Sequence, residues 1–406
     1  MKNYNIHTKL LILVILIVYN CSSENTTDEK NVIEEPKPTV ELPTLETNEA
    51  QDIDAIRATI WGNLTNDGGS SVTERGVCYG LNENPTYSDT KQIPTVTKGS
   101  GEFKVDISNL EAGLVYYARA YAVNGKGVGY GNQVSFKTLE INVPILNIRE
   151  VKVAGAHDLF IDIDLTENGD LSIDEVGVVF STHEAPTIED NKIVRDEVES
   201  SFKQRISNLE PETLYYIRPY AITSKGVSYS DQISMRTIKK GNFTWYFWNE
   251  DPNADAETKA TYARIRAAFD EATEYYNNFT SIEKHVNVNY SPGTPTADAN
   301  FDGWINMGAN SSYQKTGTAM HEMAHTVGVG THAKYWELMQ GSWQGTRAND
   351  ILKMMDNNPN GQISGDATHF WPYGINGAHE DTGDPMLYIK HALIIQGMKT
   401  DGLPSN

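Results

Sequence analysis

The chain has 406 residues, 39% of them hydrophobic and 10% aromatic, with 54 acidic against 33 basic side chains and a formal net charge of −21. That length exceeds one ordinary hydrophobic core and predicts a multidomain protein. The charge excludes nucleic acid and an anionic membrane face as partners, and it favours solubility outside the cell.

Lys2 and Lys9 flank a short polar stretch, after which residues 10–19 run unbroken and apolar. A run of this length suits the core of a signal peptide and is too short to span a bilayer. Cys21 follows in the string LIVYNCSSENTTDEK, which resembles a bacterial lipoprotein signal. The resemblance implies a signal peptide at 1–20, lipidation of Cys21 as the first mature residue, export, and anchoring at the bacterial cell envelope, in the outer membrane or at the surface. Contact with a membrane is expected only through that anchor. Residues 21–46, rich in Glu, Thr, Pro and Asn without sustained periodicity, read as a flexible tether. With Cys21 lipidated, Cys78 has no partner for an intramolecular disulfide and reads as a small buried side chain in a strand.

An internal repeat follows. ERGVCYGLNENPTYSD from Glu74 matches EVGVVFSTHEAPTIED from Glu175, and ISNLEAGLVYYARAYAVNGKGVGY from Ile107 matches ISNLEPETLYYIRPYAITSKGVSY from Ile206. The period, about one hundred residues, is that of an immunoglobulin-like sandwich. Alternation such as Tyr117-Ala118-Arg119-Ala120-Tyr121 marks half-buried strands. The shared NL…YY-x-R-x-YA…KG-x-x-Y pattern resembles fibronectin type III modules, which implies two all-β sandwiches at 47–139 and 142–238. Neither copy assembles a catalytic constellation. Both read as spacers or weak adhesion surfaces whose loops could bind a glycan or a protein.

From Asn242 to the C-terminus the texture changes: this segment holds seven of the ten histidines and six of the seven tryptophans. Residues 243–248 read as a strand. Tyr262, Ile265, Phe269, Ala272 and Tyr276 recur at the three-four spacing of a helix over 256–277, and strands are predicted at 285–290 and 303–307. Then comes Met320-His321-Glu322-Met323-Ala324-His325, an H-E-x-x-H sequence. Residues four apart share a helical face, so both imidazoles can reach one ion, and zinc accepts neutral imidazole well. Glu322, beside the first ligand, can take a proton from an attacking water and pass it to a leaving amine. Thr316 and Thr318 are expected N-caps, and Gly328 the helix terminator.

HEMAHTVGVGTH resembles the metzincin pattern H-E-x-x-H-x-x-G-x-x-H, except that Thr331 stands at the third-ligand position and His332 one later. Together with the downstream HFWPYGIN, the segment resembles secreted bacterial zincin-like metalloproteases. That resemblance implies an α+β zincin-type domain at 242–406 with zinc as cofactor, held by His321 and His325. It favours His369 as third ligand, with His332 the alternative and His379 or Glu380 as minor candidates. Tyr373 is a candidate oxyanion donor, and otherwise an aromatic wall of the cleft. Met386 could belong to a Met-turn, but Ile389, Leu393 and Ile394 give its segment a helical face, and His391 on that helix is not expected to be a ligand. The acidic stretches 298–303 and 356–361 lack the ligand spacing of a calcium loop and read as turns. The function expected is that of an extracellular zinc endopeptidase, a monomer acting on a protein or peptide, glycoproteins included. The alternative is a surface adhesin or glycan-binding lipoprotein with a structural or inactive zinc domain.

Overall fold

A computed structural model describes residues 39–404. The expected signal peptide, Cys21 and the tether up to residue 38 lie outside the described residues. The last part of the expected tether is corrected. Thr44–Thr47 is a strand paired antiparallel with Arg57–Asn66, and Leu45 and Thr47 face inward. Already at Glu41 the backbone N–H donates to Gly68 O at 2.8 Å, and the carbonyl accepts from Asn124 Nδ2 at 2.7 Å. The alternation is too short to stand out from its Glu-, Thr- and Pro-rich surroundings.

Residues 39–139 form one compact unit. Three strands (Thr44–Thr47, Arg57–Asn66, Gly101–Ser108) make one sheet; Thr90–Gln92, Glu74–Gly80, Val115–Asn124 and Gly127–Tyr130 make the other, with Val134–Lys137 also on Val115–Asn124. Ile60, Val77, Phe103, Val105 and Ala118 meet between the sheets. This pairing is that of a fibronectin type III-like sandwich. Cys78 is buried here, its thiol pushed up to about 11 by desolvation, and it donates to Pro85 O at 3.2 Å. That environment makes it inert.

The second sandwich repeats the pairing. Ser201–Ile206, Leu159–Glu167 and Ile145–Ala154 form one sheet; Asn191–Val194, Ile173–Ser181, Leu214–Thr223 and Gly226–Tyr229 form the other, joined by Ile233–Arg236. The repeated side chains do repeated structural work. The hydroxyls of Tyr116 and Tyr215 accept from the N–H of Glu111 and Glu210 at 2.9 and 3.0 Å. Tyr121 and Tyr220 each donate to a glutamate, Glu74 and Glu175, at 2.6 Å. Arg119 and Arg218 lie over the rings of Tyr130 and Tyr229. The motif therefore encodes packing.

Residues 140–404 form the second unit, so the second sandwich is continuous with the C-terminal segment. Val153 and Phe160 of the sandwich sit in the same core as Phe243, Phe279 and Ile351. Ala156 N–H donates to Asn278 O at 2.7 Å, and Arg347 donates to Lys152 O at 2.8 Å. The expectation of a simple spacer misses this fusion, because Val153 and Phe160 are ordinary strand residues in sequence.

The C-terminal segment opens with β1 (Asn242–Phe247), α1 (Ala256–Phe279), β2 (Glu283–Tyr290), β3 (Ala297–Ala299) and β4 (Trp304–Met307). These strands make a sheet in the order β1-β2-β4-β3; β1, β2 and β4 are parallel, and β3 runs antiparallel to β4 at the edge. Helix α1, capped by Asp255 on Thr258 N–H at 2.7 Å, buries Tyr262, Ile265, Phe269, Ala272 and Tyr276, the residues the spacing picked out. Its core partners on the sheet are Phe243, Phe247, Val286 and Val288. Four helices follow: α2 (Thr316–Thr326), α3 (Ala333–Leu338), α4 (Thr346–Met355) and α5 (Pro385–Thr400). Tyr276 ties three helices together, donating to Met320 O at 3.1 Å and lying 3.1 Å from His391 Nε2.

Candidate metal centre

Helix α2 is buried from end to end. Its first turn is capped from a distance: Asp381, in the loop before α5, accepts from Gly317 N–H at 2.9 Å and from the Tyr388 hydroxyl at 2.6 Å. A Cβ at Gly317 would fall 2.5 Å from that carboxylate, so only glycine permits the approach. The expected threonine caps are thus corrected. Lys315 holds the N-cap position without a side-chain bond, and Thr316 donates to Glu271 at 2.5 Å. A carboxylate suits the positive end of the helix better than a hydroxyl does. At the other end Gly328, at φ +107°, turns the chain as expected, and Val329 N–H reaches back to Ala324 O at 3.1 Å.

That turn orients the second histidine. His325 Nδ1 lies 2.7 Å from Val329 O, and His321 Nδ1 lies 2.8 Å from Gly374 O in the loop above. A carbonyl can only accept, so each Nδ1 carries the proton and each Nε2 is left a lone pair. The two Nε2 atoms face one another at 3.0 Å. Burial holds the His321 ring down to about 3, helped by His325, and it lowers His325 as well. Both rings are neutral at physiological pH.

His369 completes the group. The ligand nitrogens of His321, His325 and His369 all lie within 4.8 Å of one another. His369 precedes the short strand Phe370–Trp371 and is held by its backbone: its N–H donates to Asp366 at 2.7 Å, and its carbonyl accepts from the Tyr335 hydroxyl at 2.7 Å. Asp366 Oδ1 also stands 3.7 Å from the ring Nδ1. Two neutral imidazoles pressed lone pair to lone pair, with a third beside them, repel unless a cation accepts all three. The donor set fits zinc, as do its size and burial. Glu322 adds a second sign of fit. It is 4% exposed, and its Oε2 is buried without a hydrogen-bond partner among the described residues. Desolvation, and then Asp298, pushes its carboxyl up to about 8. A dication beside it would favour the carboxylate.

The centre floors a cavity of about 380 Å³ lined also by Asp298, Tyr313, Thr331 and Asn376. Thr331, not His332, faces it. His332 is turned away as the N-cap of α3, accepting from Lys334 N–H at 3.0 Å with its ring on Phe301. Gly330, at φ +64° against Thr368, takes up the extra residue of the turn. Tyr373 is also corrected as an oxyanion donor. Its hydroxyl donates to Asp356 at 2.6 Å and accepts from Lys390 at 2.9 Å, outside the cavity lining. Left-handed backbone at Tyr373 (φ +66°) and Ile375 (φ +54°) sends these neighbours in directions that regular alternation does not anticipate. Glu380 supports this loop by accepting from Asn376 N–H at 3.0 Å. Met386 lies in the first turn of α5, and His391 is a core residue donating to Tyr373 O at 2.7 Å. The stretch 356–361 is a turn region, with Asp356 bonded to Lys390, whereas 298–303 begins in β3, where Asp298 accepts from Asn306, and turns only at 301–303. Tyr313 and Asn376 carry no local sequence signal for this position; Asn376 Oδ1 is buried without a partner among the described residues.

No family model matches the chain, and no curated protein matches it. Among solved structures it is similar to the chicken CNTN1 FN1–FN3 domains, at 16% identity and a TM-score of 0.22 over 49% of this chain and 69% of that one. It is also similar to the sensor domain of the anti-sigma factor RsgI4 of Pseudobacteroides cellulosolvens, at 22% identity and a TM-score of 0.20 over 25% of this chain and 99% of that one. The fibronectin type III-like fold of the sandwiches rests on the strand pairing above.

Proposed function

We propose that the C-terminal segment is a zincin-like domain and that the protein is a zinc-dependent endopeptidase working outside the cell. The observation that carries this is the convergence of His321, His325 and His369, within 4.8 Å of one another, beside the unpartnered Oε2 of Glu322 in one cavity. The three histidines would hold zinc, which when bound supplies Lewis acidity towards water and a carbonyl oxygen. Glu322 takes the proton of the attacking water and delivers it to the leaving amine. Its buried setting suits both steps, because it raises the carboxyl's affinity for a proton. The carbonyls of Gly374 and Val329 keep both helix imidazoles in the ligating tautomer.

Strand β3 supports a peptide as substrate. It ends the sheet, and its residues 297–299 line the cavity. An extended peptide can pair with its free edge and lie across the centre. Export and lipidation at Cys21 rest on the sequence pattern. No helix among the described residues is long and apolar enough to cross a membrane.

Glu322→Gln tests the proposal. The variant keeps zinc and loses cleavage of a mixed peptide library by about 10²- to 10⁴-fold. Undiminished cleavage would refute the role of Glu322. Stoichiometric zinc with no cleavage by the parent would favour the adhesin alternative.

A further inference from the structure

The face of the C-terminal sheet turned away from α1 carries a second constellation. On β1 the side chains of Phe243, Trp245 and Phe247 pack towards α1, so those of Tyr246 and Trp248 point outward. They are 56% and 59% exposed, a large apolar area for a folded protein to leave in water. Trp248 meets Tyr246 edge to face at 6.2 Å and Trp304 of β4 at 5.4 Å. The three rings form one aromatic corner.

Next to this corner the face carries carboxamides, and beyond them Thr244 paired with His285 at 2.9 Å. Tyr246, Asn287 and Trp304 stand in one cross-strand row, since Tyr246 pairs with Asn287 and Asn287 with Trp304. In the next row Asn289 pairs with Asn306, and Asn306 with Asp298. There Asn289 Nδ2 donates to Asn306 at 3.2 Å, and Asn306 Nδ2 donates to Asp298 at 2.8 Å, which fixes the amide planes and leaves further donor and acceptor positions open. The side-chain amide of Asn287, between two aromatic rings, makes no hydrogen bond within the described residues, while its backbone N–H donates to Gly303 O at 2.8 Å. Beside β1 a groove of about 410 Å³ continues from Tyr246 and Trp248. Its one cation, Arg266, is paired with Glu250, and its Asp270 accepts from Trp245.

The geometry points to a binding platform for a neutral oligosaccharide. A sugar ring offers C–H surface to an aromatic face and hydroxyls that both donate and accept, which matches rings interleaved with amides. Polyanions such as nucleic acid or sulfated glycans lack a free cation here and meet Asp298 in a chain of net charge −21. A lipid surface or an apolar protein face would cover Asn287 and Asn289 without satisfying them. The rings and amides of the platform lie outside the lining of the metal cavity, which shares only Asp298 with it, and the proposal does not depend on the reading of that centre. Asp298 ends the amide row and also lines the cavity with Ala297 and Ala299, so β3 is the boundary shared by the platform and the cleft.

The test applies the full chain to an array of gluco-, manno-, galacto- and N-acetylglucosamine-based oligosaccharides. Heparin, polygalacturonate and an unglycosylated unfolded protein stand alongside. Binding to at least one neutral oligosaccharide is expected, with quenching of tryptophan fluorescence. Trp248→Ala should weaken it at least about tenfold, and Asn287→Ala should also weaken it. Circular dichroism should stay unchanged, since Tyr246 and Trp248 are both more than half exposed. The proposal is overturned if no neutral glycan binds, if Trp248→Ala and Tyr246→Ala bind as the parent does, or if Trp248 is needed only for heparin or the unglycosylated protein. Glu322→Gln should bind the array like the parent, which keeps this outcome separate from that of the hydrolysis test.

Discussion

Glu322 is an ionisable group buried at the expense of stability, and that cost can be measured. In the metal-free protein its carboxyl moves from an ordinary 4.5 to about 8 through desolvation. The folded value lies above the unfolded one, so the stability of the protonated form is fully present below pH 4.5. It is lost progressively as pH rises to 8 and stays constant beyond. At 1.36 kcal/mol per pH unit, the loss amounts to roughly 5 kcal/mol above pH 8 and about 4 kcal/mol at pH 7.5. Glu322→Gln removes the charge at nearly the same volume. Chelator-treated parent and variant should therefore unfold alike at pH 4.5, and the variant should be several kcal/mol more stable at pH 8. Denaturant titrations across this range, followed in the unit 140–404, give the comparison. Adding zinc should shrink the difference, because a dication favours the carboxylate. A variant no more stable than the parent at any pH would refute the claim that this carboxyl is buried and uncompensated.

Three further outcomes follow from the packing. His391, wholly buried and held down to about 4 from 6.5 by desolvation, stays neutral in the fold; its contribution is present above pH 6.5 and falls by roughly 3 kcal/mol as pH drops to 4. In the zinc-loaded protein, His391→Gln should flatten that acid slope. His332→Ala should keep full zinc content and turnover, losing only a cap of about 1 kcal/mol, and a zinc-free variant would restore His332 as a ligand. Phe160→Ala, at a site 1% exposed, should cost about 3–5 kcal/mol and raise hydrogen exchange in α1 as well as in the second sandwich. Exchange confined to the sandwich would show that the two cores are separate.

The parts that were legible in the sequence were local. His321 and His325 sit one turn apart on a helix, so their shared direction follows from helix geometry alone. The buried face of α1 was legible for the same reason. His369 is 44 residues beyond His325, and only the resemblance singled it out. That Thr331 rather than His332 faces the cavity goes with the left-handed Gly330 pressed against Thr368, a tertiary contact with no local signature. Closeness to His369 in sequence does not bring the Tyr373 hydroxyl into the cavity, because Tyr373 and Ile375 both adopt positive φ. Asp381 as a cap, 64 residues from Gly317, left no trace either. Strand β1 was readable, but which side of it α1 would cover was not, so Tyr246 and Trp248 could not be told from core.

The most direct test is X-ray absorption at the zinc edge of protein reconstituted to one equivalent, compared with His369→Ala. Three imidazole nitrogens at about 2.0–2.1 Å are expected in the parent and two in the variant. A parent that retains no zinc after dialysis, or the same ligand set in both proteins, would contradict the assignment of His321, His325 and His369 as the metal site.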